Sequence, residues 1–313
     1  MLTVPRERPS LNLAVYREGQ EVAYVLQELE AHEASWDGEN TWTFGRSVIR
    51  RTEGPQTRLA LSLDLPIAGS AERLKASIEL AGTATAAPPA FEEADHVWTP
   101  LLAAAHGTFG VTVGDREIVR GSGRAYHDRN EGDVPFGQIG VDRWEWARAP
   151  LHDRERIVYV LQASDGGEPR VIGVDALTDG TLSIVDGLSL RGELRRTRYG
   201  MPYRPNLGID RDGEPWLDIR NDARTDDGPF YLRFVTRAVA WDQGKAESVR
   251  GVSEVICPDR IDLARHRSLV RMRVVPCGRR GSMWLPLFSG THEDRVARLF
   301  RWWAPPARTR VNG

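Results

Sequence analysis

Apolar and polar positions alternate along this chain in short runs, broken repeatedly by Gly, Asp, Asn and Pro. Leu11–Tyr16 and Val22–Leu26 flank Arg17-Glu-Gly-Gln-Glu21, which is the pattern of a β-hairpin. Further strand-like runs are Thr41–Phe44, Leu59–Leu63, Ala76–Leu80, Phe109–Val113, Ile157–Leu161, Phe230–Val235 and Leu269–Val274. Their length and spacing predict antiparallel sandwiches or barrels rather than a β-α-β alternation. Helical period shows only near the end, where Val296, Leu299, Phe300 and Trp303 follow a capping-box start at Thr291-His-Glu-Asp294, and Pro305-Pro306 ends the segment. Residues 190–208 lose the strand rhythm and carry five arginines, so they are expected to join two domains, 1–188 and 189–313. The fold class read from this pattern is all-β: two antiparallel β-barrel or sandwich domains with a short C-terminal helix.

The composition fits that reading, since 313 residues with 41% hydrophobic and 27% charged positions can bury a substantial core. The charge balance, 42 basic minus 44 acidic residues giving −2, provides no overall field for phosphate backbones or anionic lipid. Nucleic acid is therefore not an expected partner. No run approaches the roughly 18 apolar residues of a membrane span, so stable membrane insertion is not expected either. Met1-Leu-Thr-Val-Pro-Arg-Glu-Arg8 lacks the pattern of a secretory leader, and a cytoplasmic location is expected. Cys257 and Cys277 are too few and too far apart for a zinc ribbon and are expected to be buried free thiols. Lys75 and Lys245 are the only lysines, which leaves few candidates for Schiff-base chemistry.

Motifs that would call for a cofactor or a metal fail on their spacing. Gly121-Ser-Gly123-Arg-Ala-Tyr126 has Tyr where a dinucleotide fingerprint needs its third glycine, and no helical pattern follows it. Gly244-Lys245 is followed by Ala246, without the hydroxyl of a P-loop. Asp210–Glu214 and Asp222–Gly228 read as solvated turns rather than calcium loops. The seven histidines form neither a His-Glu-x-x-His nor a His-x-His unit, and no Gly-x-Ser-x-Gly elbow occurs. Neither a cofactor nor a metal is expected.

What remains is Gly121-Ser-Gly-Arg-Ala-Tyr126-His-Asp128-Arg-Asn130-Glu-Gly132, preceded by His96-Val-Trp98 and followed by Trp144-Glu-Trp146. On an extended chain the period of two sends Tyr126, Asp128 and Asn130 to one face, with His127 and Arg129 opposite. His96 and Trp98 share a face of another segment, and Trp144 and Trp146 share one of a third. If these faces line one barrel, they form an aromatic cavity with a few convergent acid/base groups. The spacing is equally that of turn residues beside Gly132 and of tryptophans in a core.

These residues resemble the core signature of the carotenoid 1,2-hydratase family, also called hydroxyneurosporene synthases, which reads approximately Tyr-x-Asp-His-Asn-x-Gly followed by Trp-x-Trp. Weaker similarity includes Trp42–Ser47, Pro229–Arg233, Gly251–Glu254 and Leu269–Arg273. The resemblance implies two lipocalin-like domains packed together and a large apolar substrate. In that chemistry an acid protonates a terminal isoprenoid C=C and water captures the tertiary cation, without a redox cofactor. By position, Asp128 takes the role of proton donor and Tyr126 and His96 supporting acid/base roles. Trp98, Asn130, Trp144 and Trp146 line the substrate. Relatives of the broader fold include cyclases of polyene or polyketide chains, Diels–Alder catalysts among them.

The implied reaction is an acid-assisted hydration or intramolecular cyclisation in natural-product biosynthesis. Two alternatives stay open: a pericyclase that folds its substrate and polarises it through hydrogen bonds, and a carrier of an apolar ligand that performs no chemistry. Proton donation at neutral pH requires an apolar wall to raise the carboxyl of Asp128 well above the ordinary value of about 3.9. The sequence departs from the family pattern at Arg129, where His is usual, and at Glu131. A guanidinium facing Asp128 would favour the carboxylate, whereas alternation places Arg129 on the outer face. Arg233 and Glu254 are expected to form structural salt bridges rather than to take part in catalysis.

Overall fold

The computed structural model describes residues 2–3, 8–85, 89–93, 95–242, 244–293 and 295–303. The hairpin expected at the start is formed by β1 (Ser10–Arg17) and β2 (Gln20–Glu28). Its turn places both Glu18 and Gly19 at positive φ, 52° and 79°, the backbone that matches the twist of the two strands. The end of the chain returns to this hairpin: Val274–Val275 pairs parallel, and Gly290–Thr291 antiparallel, with β2.

A second sheet contains β3 (Ala34–Trp36), β4 (Thr41–Phe44), β5 (Ser47–Thr52), β6 (Thr57–Pro66), β7 (Arg73–Gly82), β8 (Phe91–Glu93), β9 (His96–Val113) and β10 (Arg116–Glu131). Its order is β10-β9-β7-β6-β5-β4-β3, with β8 also paired to β9. The inward residues of these two sheets, among them Leu13, Val25, Leu59, Leu63, Leu74 and Val111, form one aliphatic core.

The third sheet contains β11 (Val141–Pro150), β12 (Arg154–Ala163), β13 (Arg170–Leu177), β14 (Leu182–Val185), β15 (Leu188–Arg191), β16 (Asn206–Arg211), β17 (Glu214–Asp227), β18 (Tyr231–Asp242) and β19 (Lys245–Ile256). Its nine strands run β14-β13-β12-β11-β19-β18-β17-β16-β15. The sheet curls until its two ends nearly meet: a Cβ on Gly173 of β13 would lie 2.4 Å from Leu188 of β15 and 3.0 Å from Trp216 of β17. Only glycine permits that approach. Val158, Val160, Ile209, Leu217, Ile219 and Ala238 fill the inside of the curl. The all-β, lipocalin-like class is thus realised as two antiparallel units with a short C-terminal helix.

Three sequence expectations differ from the structure. The segment 190–208, expected as an interdomain join, begins in β15 and ends in β16, two strands that pair in the third sheet, and the 188/189 boundary falls inside β15. The run Leu269–Val274 is not a strand; Arg267–Arg271 is a short helix, α1, and only Val274–Val275 pairs. A short apolar run has no decisive period, and here Met272 N–H satisfies itself locally on the Ser268 carbonyl. Cys257 is a buried free thiol as expected, whereas Cys277 is only half-buried. The C-terminal helix, α2, spans Arg295–Trp303; Asp294 of the expected cap and Pro305-Pro306 lie outside the described residues.

Candidate active site

The motif lies on β9 and β10, which pair with Trp98 opposite Asn130, Pro100 opposite Asp128 and Leu102 opposite His127. Register shifts between Pro100 and Leu102 and between Leu102 and Ala105 place extra residues on β9 and bend the pair at this point. Gly132 ends the motif where the chain passes the start of β9, since a Cβ there would sit 2.4 Å from the Asp95 carbonyl oxygen. Alternation holds across the motif. Tyr126 and Asp128 share a face, the Tyr126 hydroxyl donating to Asp128 Oδ2 at 3.1 Å. His127 turns to the other side, where burial first and the charge of Arg51 second push its pKa down to about 4. Arg129 also points outward and pairs with Glu131 at 2.9 Å, both side chains about half exposed. Asn130 is exposed at the end of the row.

The side of β9 and β10 that carries Tyr126 and Asp128 packs against the outer face of the third sheet. The expected cavity inside one barrel is therefore replaced by a seam between two units. Trp98, 1% exposed, donates its Nε1 hydrogen to Asp128 Oδ2 at 2.8 Å, with the Tyr126 oxygen at 3.2 Å. Its ring lies 5.1 Å from that of Phe91 and 5.0 Å from that of Tyr159. Trp146 packs on Tyr126 at 5.1 Å, and Trp144 stacks on His96 at 4.7 Å. His96 Nε2 and the Tyr159 hydroxyl are 2.7 Å apart. The aromatic residues are thus packed ring on ring rather than spread around a wide opening. A cavity of about 410 Å³, lined by Tyr203, Asn221, Arg224, Asp227 and Phe234 among others, lies on the opposite face of β17 and β18.

Two hydrogen-bonded groups result. Asp128, Tyr126, Trp98 and Asn130 form one; His96 and Tyr159 form the other, so Asp128 is bonded by Trp98, Tyr126 and Asn130 and not by His96. Burial raises the Asp128 pKa, against the lowering effect of the Trp98 hydrogen bond and with added repulsion from Glu254. Burial pushes His96 down to about 4, which keeps its ring neutral, and moves both tyrosine hydroxyls well up.

On the third sheet the site belongs to a row of cross-strand neighbours: Tyr159 on β12, Trp146 on β11, Glu254 on β19, Arg233 on β18 and Asp226 on β17. Arg233 and Glu254, each expected to form a structural salt bridge, pair with each other. The row continues into the hairpin sheet, where Arg273 bonds Asp226 at 2.9 Å and Glu21 at 2.8 Å and lies 4.0 Å from the ring of Tyr24. Among the described residues no group of three or more His, Cys, Asp or Glu is arranged to hold a metal ion. Tyr159 and Phe91 were not legible as site residues. The one trace of Tyr159 is a hydroxyl inside the apolar run Ile157–Leu161, a polar tip that needs a partner when buried.

Comparison with known proteins adds the following. The family model of the carotenoid hydratase CrtC matches residues 3–284. A hydroxyneurosporene dehydrogenase of Chlorobaculum tepidum is 27% identical over 217 residues, which cover 66% of this chain and 56% of that protein. An acyclic carotenoid 1,2-hydratase of Rubrivivax gelatinosus is 30% identical over 125 residues, 40% of this chain and 29% of that protein. The matches thus span little more than half of one curated relative and less than a third of the other. Among solved structures, an AttH-type protein of Nitrosomonas europaea superposes with a TM-score of 0.55 at 12% identity, covering 80% of this chain and 82% of that one. CghA gives 0.50 at 14% identity, covering 80% of each. At such identities the likeness is one of fold.

Proposed function

The chain belongs to the carotenoid hydratase family, and from that premise we propose that it is an enzyme that protonates a C=C bond of a large apolar polyene or isoprenoid, with Asp128 as the acid. The observation that carries this reading is the set of partners around Asp128. Its carboxyl receives hydrogen bonds from an indole and a phenol on Oδ2, and the Asn130 carboxamide bonds it as well; all three partners are neutral. Burial favours the protonated carboxyl, whereas a guanidinium in the same place would oppose it.

The steps balance without a redox group. The carboxyl O–H bond breaks, the proton goes to the less substituted carbon of the terminal C=C, and the π electrons form the new C–H bond, leaving a tertiary cation on the other carbon and a carboxylate. Trp98 and Tyr126 then hold the carboxylate through the same two hydrogen bonds. The ring faces of Trp146 and Tyr126 stabilise the cation by about 0.5–2 kcal/mol each. Water adds to the cation and returns a proton to Asp128, giving an alcohol. If an internal double bond captures the cation and a C–H proton returns instead, the product is a ring isomeric with the substrate. His96 has a positioning role here: it is neutral, bonded to Tyr159 and stacked under Trp144. Because the rings are packed, entry of such a substrate requires the seam to open between β9–β10 and the third sheet.

High-resolution mass spectrometry of metabolites from a producing strain, with the gene, without it, and with it replaced by Asp128→Asn, tests this reading. A precursor that accumulates in the deletion and lacks one water relative to the product supports hydration; an isomeric precursor supports cyclisation. Asp128→Asn is expected to resemble the deletion. Full rescue by that variant, a product differing by two hydrogens, or unchanged metabolites would overturn the assignment of Asp128 as an acid.

A further inference from the structure

The apolar stripe that announces α2 does not face the core. Leu299 is buried, but Val296, Phe300 and Trp303 are 63%, 64% and 40% exposed. They lie at i, i+4 and i+7 and so share one side of the helix. The preceding turn adds Met283 and Trp284, 56% and 41% exposed. These residues form one patch: the Trp303 ring meets Trp284 edge to face at 5.5 Å and Phe300 at 6.1 Å, and Trp303 Nε1 donates to the Met283 carbonyl at 3.0 Å. The helix is fixed to the body along the adjoining face, where Leu299 at the edge of the stripe is buried and the Arg298 guanidinium donates to the Glu293 and Ser289 carbonyls at 2.6 and 3.1 Å. The exposed aromatic face is therefore held out by a seated helix.

The charge on and after the helix is mainly basic, the exposed Glu293 just before it being paired with Arg116. From Arg295 to the last residue the sequence has five arginines and no acidic residue. Arg280, just before Met283, and Arg301 on the helix are both exposed, and among the described residues neither has a carboxylate within ion-pair distance. A net charge of −2 for the whole chain conceals this local excess.

We propose that this face docks on the surface of an anionic lipid bilayer, with Val296, Phe300, Trp303, Trp284 and Met283 in the interfacial layer and Arg280 and Arg301 against the headgroups. Exposed Trp and Phe beside Arg on a short amphipathic helix is the composition that binds in the plane of a membrane. Trp, with an apolar ring and a polar N–H, suits the headgroup level. A second copy is the poorer occupant, because a two-fold contact would set the same arginines of both chains against each other. The attachment is peripheral: no helix among the described residues is long and apolar enough to cross a membrane. A polyene dissolves in lipid rather than water, so docking would bring the enzyme to its proposed substrate, but the inference stands on the patch alone.

Flotation of the full chain with vesicles of phosphatidylcholine alone, or mixed with phosphatidylglycerol, tests this without substrate. Binding to the anionic vesicles is expected to be about tenfold stronger or more, to weaken with added salt, and to shift tryptophan emission to the blue. Phe300→Ser should weaken binding about tenfold, as removing one interfacial aromatic predicts. Arg301→Glu, which changes an exposed charge at the cost of one hydrogen bond to the Gly69 carbonyl, should do the same and serves if the serine variant misfolds. Absence of binding, equal binding to neutral vesicles, or full binding by Arg301→Glu overturns the proposal. A dimer that Phe300→Ser dissociates, with no vesicle binding, would assign the face to a second copy. Because turnover is not measured, failure here leaves the reading of Asp128 untouched, and the reverse also holds.

Discussion

The row of residues crossing the third sheet has two unlike halves. At one end, Tyr159 and Trp146 meet His96, Trp98, Tyr126 and Asp128, and the titratable groups His96, Tyr126, Asp128 and Tyr159 are pushed toward their neutral forms by burial. At the other, Glu254, Arg233, Asp226, Arg273 and Glu21 alternate in sign and bond one another. Both halves are sheltered by the same seam, but their partners differ. Asp128 has an indole, a phenol and a carboxamide beside it and no guanidinium, and burial raises its pKa; Glu21 is raised by burial too, but Arg273 pulls it back. The neutral half is suited to chemistry and the ionic half to fixing how the two units meet.

The sharpest way to break this contrast is to exchange carboxyl for carboxamide in each half. Asp128→Asn should lower turnover by roughly 10²–10⁴-fold at every pH, the usual weight of a general acid, with the fold intact by circular dichroism. In the proposed mechanism the active form of Asp128 is the protonated one, and its pKa is raised, so wild-type activity should be present at low pH and fall as pH rises through that raised value. Glu254 contributes to the rise by repulsion, so Glu254→Gln should keep its turnover at low pH but move the alkaline limb to lower pH. Equal loss in both variants would erase the distinction between the halves.

The neutral half should also set the response of stability to acid. His96 has an ordinary value of 6.5 and is pushed down to about 4. The unfolded chain takes up this proton on the way from pH 6.5 to 4 and the folded chain does not, so stability present above 6.5 is lost as pH falls. The full difference is roughly 3 kcal/mol by linkage. In urea melts across that range, His96→Gln should flatten the slope, leaving the part due to His127, which shifts in the same direction. The ionic half should respond to partner loss instead. Arg233→Met leaves Glu254 sheltered without its cation and should cost about 1–3 kcal/mol, less than a fully buried pair because both side chains keep some exposure.

Which parts of this were legible in the sequence follows from the range of the interactions. Strand positions and the two faces of the Tyr126–Asn130 segment depend on period two, which the sequence carries; it marks Arg233 and Glu254 as candidates for ion pairs, but not that they pair with each other. Gly132 is legible as a motif residue, though its cause, the Asp95 carbonyl beneath it, is not. The seam is illegible because alternation says which residues share a face but not what that face meets. The same ignorance makes a barrel interior the natural guess for the aromatic residues. Tyr159 escapes notice in a run that is otherwise apolar, and its importance comes only from His96 and Trp98 across the seam. The helix α2 shows the same limit: its stripe predicts the helix correctly but not that Phe300 and Trp303 face outward.

The smallest expected effect concerns Arg129, which stands where the family pattern has histidine. If that histidine acted on the substrate, its replacement by a permanent cation would disable the site, and Arg129→His would raise activity. The strand alternates, however, and the bend of β9 and β10 does not disturb the alternation between Tyr126 and Asn130. Tyr126 and Asp128 bond on the seam side, while Arg129 sits outside with Glu131 at 2.9 Å, its side chain 56% exposed. A pair so exposed contributes about 0–1 kcal/mol, and its charge is screened from Asp128 by water on one side and the strand on the other. Arg129→His should therefore change turnover by less than about twofold and leave the alkaline limb of the pH profile in place, since a solvated surface charge has little hold on a sheltered carboxyl. A limb displaced by this substitution would mean that the guanidinium reaches Asp128 when the seam opens, and the neutrality of that half would then belong to the closed state alone.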